Sequence, residues 1–200
     1  MGKITRLFLC TGFITMSLTG YALNSKDDSP MQASMHVQTL VLGSGCFWGA
    51  EKRYEALPGV INAVSGYADG RGFKANYRNI TAPSRRFSEN NYAEVVQVTY
   101  NTNHLSTETL LQKYFESHDP TQLNRQGNDI GTQYRSTILT SNEAQLKLAN
   151  KLKQEYQTYL TQAGYGDIKT IIKPLEAFYK AESYHQDYIA KNPDGYCPDH

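Results

Sequence analysis

Cys46 sits in the run Gly45-Cys46-Phe47-Trp48-Gly49-Ala50-Glu51, and its position suits thiol chemistry. A strand reads over Val37 to Leu42, Gly43-Ser44-Gly45 breaks it, and helix formers follow from Trp48 to Leu57, closed by Pro58-Gly59. A cysteine at a helix N-terminus faces unpaired backbone N–H groups and the positive end of the dipole, which favour the nucleophilic thiolate. Phe47 and Trp48, the single tryptophan, could wall an apolar pocket beside the sulfur. The residues alone leave a second reading open, in which Cys46 and both rings are packed core. Glu94, inside the apolar run Tyr92 to Tyr100, is an outward-facing carboxylate by default. Buried beside Cys46 it would instead be a proton donor near neutrality. The polar segment Asn124 to Tyr134 carries Gly127 and Gly131, whose turns would present Asp129 and Tyr134, or it is an ordinary polar loop. The five histidines show no paired metal-ligand spacing. His185 reads as a helix-borne packing or hydrogen-bonding residue, with the base of a cysteine hydrolase as the alternative.

These groups need positioning elements. Strands are expected at Val37–Leu42, Val60–Tyr67, Tyr92–Tyr100, Arg135–Thr140 and Ile168–Lys173. Helices are expected from Ser106 or Thr107 through His118, over Ala181–Ala190, and from a Ser141 cap to Gly164. The last of these has the apolar stripe Ala144, Leu148, Leu152, Tyr156 and Tyr159. Asp69 to Asn91 and Thr121 to Tyr134 read as loops. The irregular alternation of strands and helices favours one α+β domain over a doubly wound sheet.

The N-terminus has a basic start, Lys3 and Arg6, then the apolar stretch Leu7 to Leu18 and small residues around Gly20 to Ala22. It reads as a signal peptide over residues 1–22, with an uncleaved membrane anchor as the alternative. A polar linker over 23–36 and a catalytic domain over 37–200 follow. The expected location is periplasmic or secreted, membrane-anchored if the signal stays. A formal charge of +1 gives no pull towards nucleic acid. Removal of the signal takes Cys10 with it and leaves Cys46 and Cys197. Two cysteines in an oxidising compartment suggest a pair. Cys197 lies in the turn-rich tail Asn192 to Pro198, which suits a cysteine that swings better than a fixed staple.

From about Leu40 to Cys197 the chain resembles the peptide methionine-S-sulfoxide reductase family. Gly45 to Glu51 resembles the family's nucleophile motif, and Leu57-Pro58-Gly59-Val60 with Gly66-Tyr67 continues it in register. Gly127 to Ser136, Tyr184-His185-Gln186-Asp187-Tyr188 and Asn192 to Cys197 match further signatures. The resemblance implies a mixed or antiparallel sheet with helices packed on it, a two-layer sandwich with a ferredoxin-like core. It implies that Cys46 attacks the sulfoxide sulfur and that Phe47 and Trp48 hold the substrate methyl. It makes Glu94 the acid at the sulfoxide oxygen, Tyr134 and Tyr77 phenol donors to it, and Asp129 a pocket residue. Cys197 would be the recycling cysteine, condensing with a Cys46 sulfenic acid to a disulfide that a thioredoxin-like dithiol reduces. The resemblance implies no metal or bound cofactor. It implies oxidised proteins or free methionine sulfoxide as substrate and a monomeric enzyme. The chain departs from the family pattern between Tyr77 and Glu94, where Thr81 to Asn90 adds residues and Asn91-Tyr92 replaces Gly-His. That loop motivates one alternative, a catalytically impaired relative that binds methionine or its sulfoxide.

Overall fold

The computed structural model describes residues 36–195. The signal segment, the linker up to residue 35, Cys10 and Cys197 lie outside the described residues. Among the described residues no helix is long and apolar enough to cross a membrane.

The central sheet forms from β1 (Val37–Gly43), β2 (Val60–Ala68), β3 (Ala93–Asn101), β6 (Thr137–Thr140), β7 (Ile171–Pro174) and β8 (Phe178–Lys180). Between β3 and β6 the short strands β4 (Arg125–Gln126) and β5 (Asp129–Ile130) make a separate hairpin. The large sheet runs β7-β6-β1-β3-β2-β8, with β6–β7 parallel and the other pairs antiparallel. Its inner order, β6-β1-β3-β2, with helices after β1 and β3, is the ferredoxin-like arrangement within an α+β domain.

Side chains alternate across each strand. Leu40, Leu42, Val96, Val98, Tyr100 and Ile138 point to the face that packs the helices. Val41, Ala93, Val95 and Leu139 point to the other face and meet Leu175 and Phe178. By the same alternation Glu94 shares the helix-covered face with Val96, opposite Tyr67 in register. It is buried, so the outward default fails: the residue falls where α1 covers the sheet rather than at a solvent face.

Helix α1 (Phe47–Glu55) buries Phe47, Ala50, Glu51 and Tyr54, one face at helical spacing. After the short α2 (Tyr77–Ile80), α3 (Thr107–Glu116) starts at Ser106, whose Oγ accepts from Thr109 N at 3.0 Å. Helix α4 (Glu143–Gln162) starts one residue later than expected, because Asn142 Oδ1 caps Gln145 N at 2.9 Å. Ser141 Oγ instead donates to Thr39 O. The buried stripe moves accordingly to Gln145, Ala149 and Leu152, while Tyr159 is exposed.

Two segments read as loops carry structure. Residues 69–91 contain α2 and a 3₁₀ turn at Pro83–Arg85, and Ile80 and Asn91 are buried, with Asn91 Nδ2 donating to Ile80 O. Residues 121–134 contain the β4–β5 hairpin and a 3₁₀ turn at Thr132–Tyr134. Strand β7 begins at Ile171 rather than Ile168. The expected helix over 181–190 shrinks to α5 (Tyr188–Lys191), preceded by turns and by β8, which sequence reading missed. In the turns between them Glu182, His185 and Gln186 bond to Tyr67, Trp48 and Ser65, partners distant in sequence that an amphipathic pattern does not report.

Candidate active site

The break between β1 and α1 is built for close approach. A Cβ on Gly43 would meet Thr137 Cγ2 at 2.9 Å and Glu94 O at 3.1 Å. Gly45 has φ 94°, a region that favours glycine. The chain therefore passes tightly between β3 and β6 and turns so that Cys46 caps α1, its carbonyl accepting from Ala50 N. Cys46 is buried, at 9% exposure.

Glu94 rises from β3 beneath this helix start. Its Oε2 accepts from Phe47 N at 3.2 Å. Burial pushes its carboxyl up to about 8; the Phe47 N–H pulls the other way, and Asp129 adds to the rise. Glu94 is therefore a neutral acid at pH 7. Tyr134 and Tyr77 are raised by burial first and then by the neighbouring Glu94, Asp129 and Cys46, so both phenols keep their protons.

Seven side chains line one cavity of about 270 Å³: Cys46, Phe47, Trp48, Tyr77, Glu94, Asp129 and Tyr134. The structure thus gathers in one place every site residue expected from the sequence that lies within the described range, Tyr77 of the altered loop included. Cavity chemistry follows from that set: a cysteine sulfur, three protonated acids and an aromatic wall, suited to a small substrate carrying a basic oxygen and an apolar end.

Of the braces behind this wall, sequence reasoning expected only His185, as a packing or hydrogen-bonding residue, and not its partners. Trp48 Nε1–H donates to His185 Nδ1 at 3.0 Å, and the indole stacks on Tyr188 at 3.8 Å between centroids. His185 lies in the turn before α5 rather than on a helix, packed against Phe47 and Tyr77, and burial lowers its pKa, so the ring is neutral. Its Nδ1 is spent on Trp48, which leaves no free base for a cysteine hydrolase on that side. Glu182 accepts from Tyr67 Oη–H at 2.7 Å and from Tyr77 N at 3.1 Å. Burial works against its charge, but these bonds outweigh it and the pKa falls. Glu51 is buried and accepts from Ser65 N and Asp187 N, joining α1 to β2 and to the turn before α5. Glu51, Glu55 and Asp187 also bring carboxylate oxygens within 4.8 Å of one another. Each Glu51 oxygen accepts from one backbone donor, which ties the carboxylate into the fold. Glu51 lies inside the Gly45–Glu51 motif and Tyr188 inside the Tyr184–Tyr188 signature, but neither motif names the partner; Glu182 lies in no motif.

A ferredoxin-like domain with a buried cysteine at a helix start, facing neutral acids across a small cavity, has the layout of a thiol-dependent oxidoreductase. Residues 38–200 match the peptide methionine sulfoxide reductase family, and the chain belongs to it. It is 46% identical over 160 residues to the mitochondrial peptide methionine sulfoxide reductase of Rattus norvegicus, covering 80% of this chain and 66% of the rat protein. Methionine sulfoxide reductase A of Corynebacterium diphtheriae superimposes with a TM-score of 0.76 at 39% identity, covering 86% of this chain and 81% of that one. Mxr1 of Saccharomyces cerevisiae in complex with Trx2 gives a TM-score of 0.54 at 27% identity over 83% of this chain and 89% of Mxr1.

Proposed function

We propose that this chain reduces methionine-S-sulfoxide, free or within proteins, to methionine, with Cys46 as nucleophile. The observation that carries this reading is the shared cavity of Cys46, Glu94, Tyr77 and Tyr134 beside the Phe47–Trp48 wall. A sulfoxide oxygen leaves sulfur only once it is protonated. The Glu94 oxygen that accepts from Phe47 N is held as the acceptor, so the proton belongs on Oε1, free to donate. Tyr77 and Tyr134 add neutral donors that stabilise charge developing on the oxygen. The aromatic wall receives the methyl group.

The electrons balance in three steps. The Cys46 sulfur attacks the sulfoxide sulfur and forms an S–S bond as Glu94 protonates the oxygen; the hydroxyl then passes from the methionine sulfur to the Cys46 sulfur while the S–S bond breaks, so that Cys46 is oxidised to a sulfenic acid and methionine leaves, reduced by two electrons. The Cys197 thiol then displaces water from the sulfenic acid to give a Cys46–Cys197 disulfide. A thioredoxin-like dithiol reduces it by exchange. The solved pairing of Mxr1 with Trx2 supports this class of reductant. Incubation with the separated epimers of N-acetyl-methionine sulfoxide and dithiothreitol tests the reading. Consumption of the S epimer only, lost in Cys46→Ser, is expected; a folded wild type that consumes neither would overturn it.

A further inference from the structure

A groove of about 410 Å³ adjoins the cavity at Cys46, with Tyr77, Asp129 and Tyr134 on the walls of both. The outer wall comes from the 81–92 loop through Pro83 and Arg86, and from the hairpin region through Ile130 and Gln133. A polypeptide with a side chain seated at Cys46 can continue along that groove past the shared residues.

One side chain gives the groove its charge. Arg86 is fixed to the hairpin: its Nε donates to Ile130 O at 3.0 Å and its carbonyl accepts from Thr132 N at 2.8 Å. It is exposed, and among the described residues lining the groove it is the only cation. Asp129 lies at the junction with the catalytic cavity, whereas Arg86 lines only the outer groove. Negative charge directly beside the sulfoxide is therefore opposed, and negative charge further out is favoured.

We propose that this groove binds the polypeptide flanking an oxidised methionine. Arg86 selects an acidic side chain one or two residues from the sulfoxide. The proposal rests on the reading that methionine sulfoxide occupies the Cys46 cavity. Arg86 is a specificity residue here and takes no part in the oxygen transfer.

The test is binding to the full chain carrying Cys46→Ser, read from the fluorescence of its single tryptophan, Trp48. The ligands are blocked peptides, acetyl-X-methionine sulfoxide-X-amide, with X as glutamate, glutamine or lysine, and free methionine sulfoxide. The glutamate peptide should bind about fivefold more tightly than the lysine peptide at low salt, with the ratio shrinking as salt is added. Adding Arg86→Gln should bring the ratio to about one, whereas Arg86→Lys, which keeps the charge but not the bond to Ile130, should preserve it. Equal affinities, a ratio that survives Arg86→Gln, or a ratio lost equally in Arg86→Lys would overturn the proposal. So would free methionine sulfoxide binding as tightly as the glutamate peptide, because its own α-carboxylate would then suffice. Turnover of N-acetyl-methionine-S-sulfoxide amide, which has no flanking side chain, reports separately on the reaction. Its failure would sink the chemistry, while the binding ratio would still decide what the groove selects.

Discussion

Glu94→Gln separates stability from chemistry at one residue. In the fold, burial lifts the Glu94 carboxyl from 4.5 to about 8. A carboxyl raised by folding contributes stability that is fully present below its unfolded value and is lost as pH rises through its folded value. Between those limits the unfolded chain ionises while the fold must keep the proton, at about 1.4 kcal/mol per pH unit. Raising the pH from about 5 to about 7.5 should therefore cost the wild type about 3 kcal/mol through this group alone. Glutamine keeps the shape and an oxygen to accept from Phe47 N but has nothing to ionise. Urea unfolding of both proteins at the two pH values, under reducing conditions, isolates the effect, because groups common to both cancel. The wild type should lose about 3 kcal/mol more than the variant. The variant should be the more stable of the two at the higher pH and lose roughly 10²–10⁴ in kcat/KM for want of the acid. Equal losses of stability in the two proteins would show that Glu94 is ionised in the fold, and the account of oxygen protonation would fall with it.

Wild-type kcat/KM should decline above about pH 8 as Glu94 loses its proton; a profile flat through pH 9 would count against it. Trp48→Phe removes the donor to His185 Nδ1 and much of the stack on Tyr188, and should weaken substrate binding by about 1–2 kcal/mol, seen as a raised KM. Glu51→Ala strands the Ser65 and Asp187 N–H groups, which should cost about 2–4 kcal/mol in urea unfolding. Gly66→Ala drives a Cβ into the Phe178 ring, so the β2–β8 pairing should loosen, with faster hydrogen exchange at the Ala181 amide that bonds Ser65 O.

The sequence made the frame legible where burial is regular. Strands β1, β2 and β3 and helices α1 and α3 show as apolar runs with clear breakers, and Cys46 falls at the junction those breakers define. Glu94 was ambiguous because strand alternation assigns it a face but does not say which face the helices cover. The register opposite Tyr67 and the burial under α1 resolve that. The Trp48–His185–Tyr188 stack and the Glu51 and Glu182 braces were not legible, since each joins segments more than a hundred residues apart or satisfies a backbone group with no periodic signature. The loop from Asp69 to Asn91 read as irregular because it is polar, yet Ile80 and Asn91 are buried in it and Tyr77 reaches the cavity.

The most direct test of the account is mass spectrometry after a single equivalent of methionine-S-sulfoxide is added to the reduced chain with no reductant. The account predicts one methionine released per chain and a Cys46–Cys197 disulfide, with a persistent Cys46 sulfenic acid in Cys197→Ser. Methionine released with Cys46 still a thiol, or no methionine released by folded protein, would contradict it.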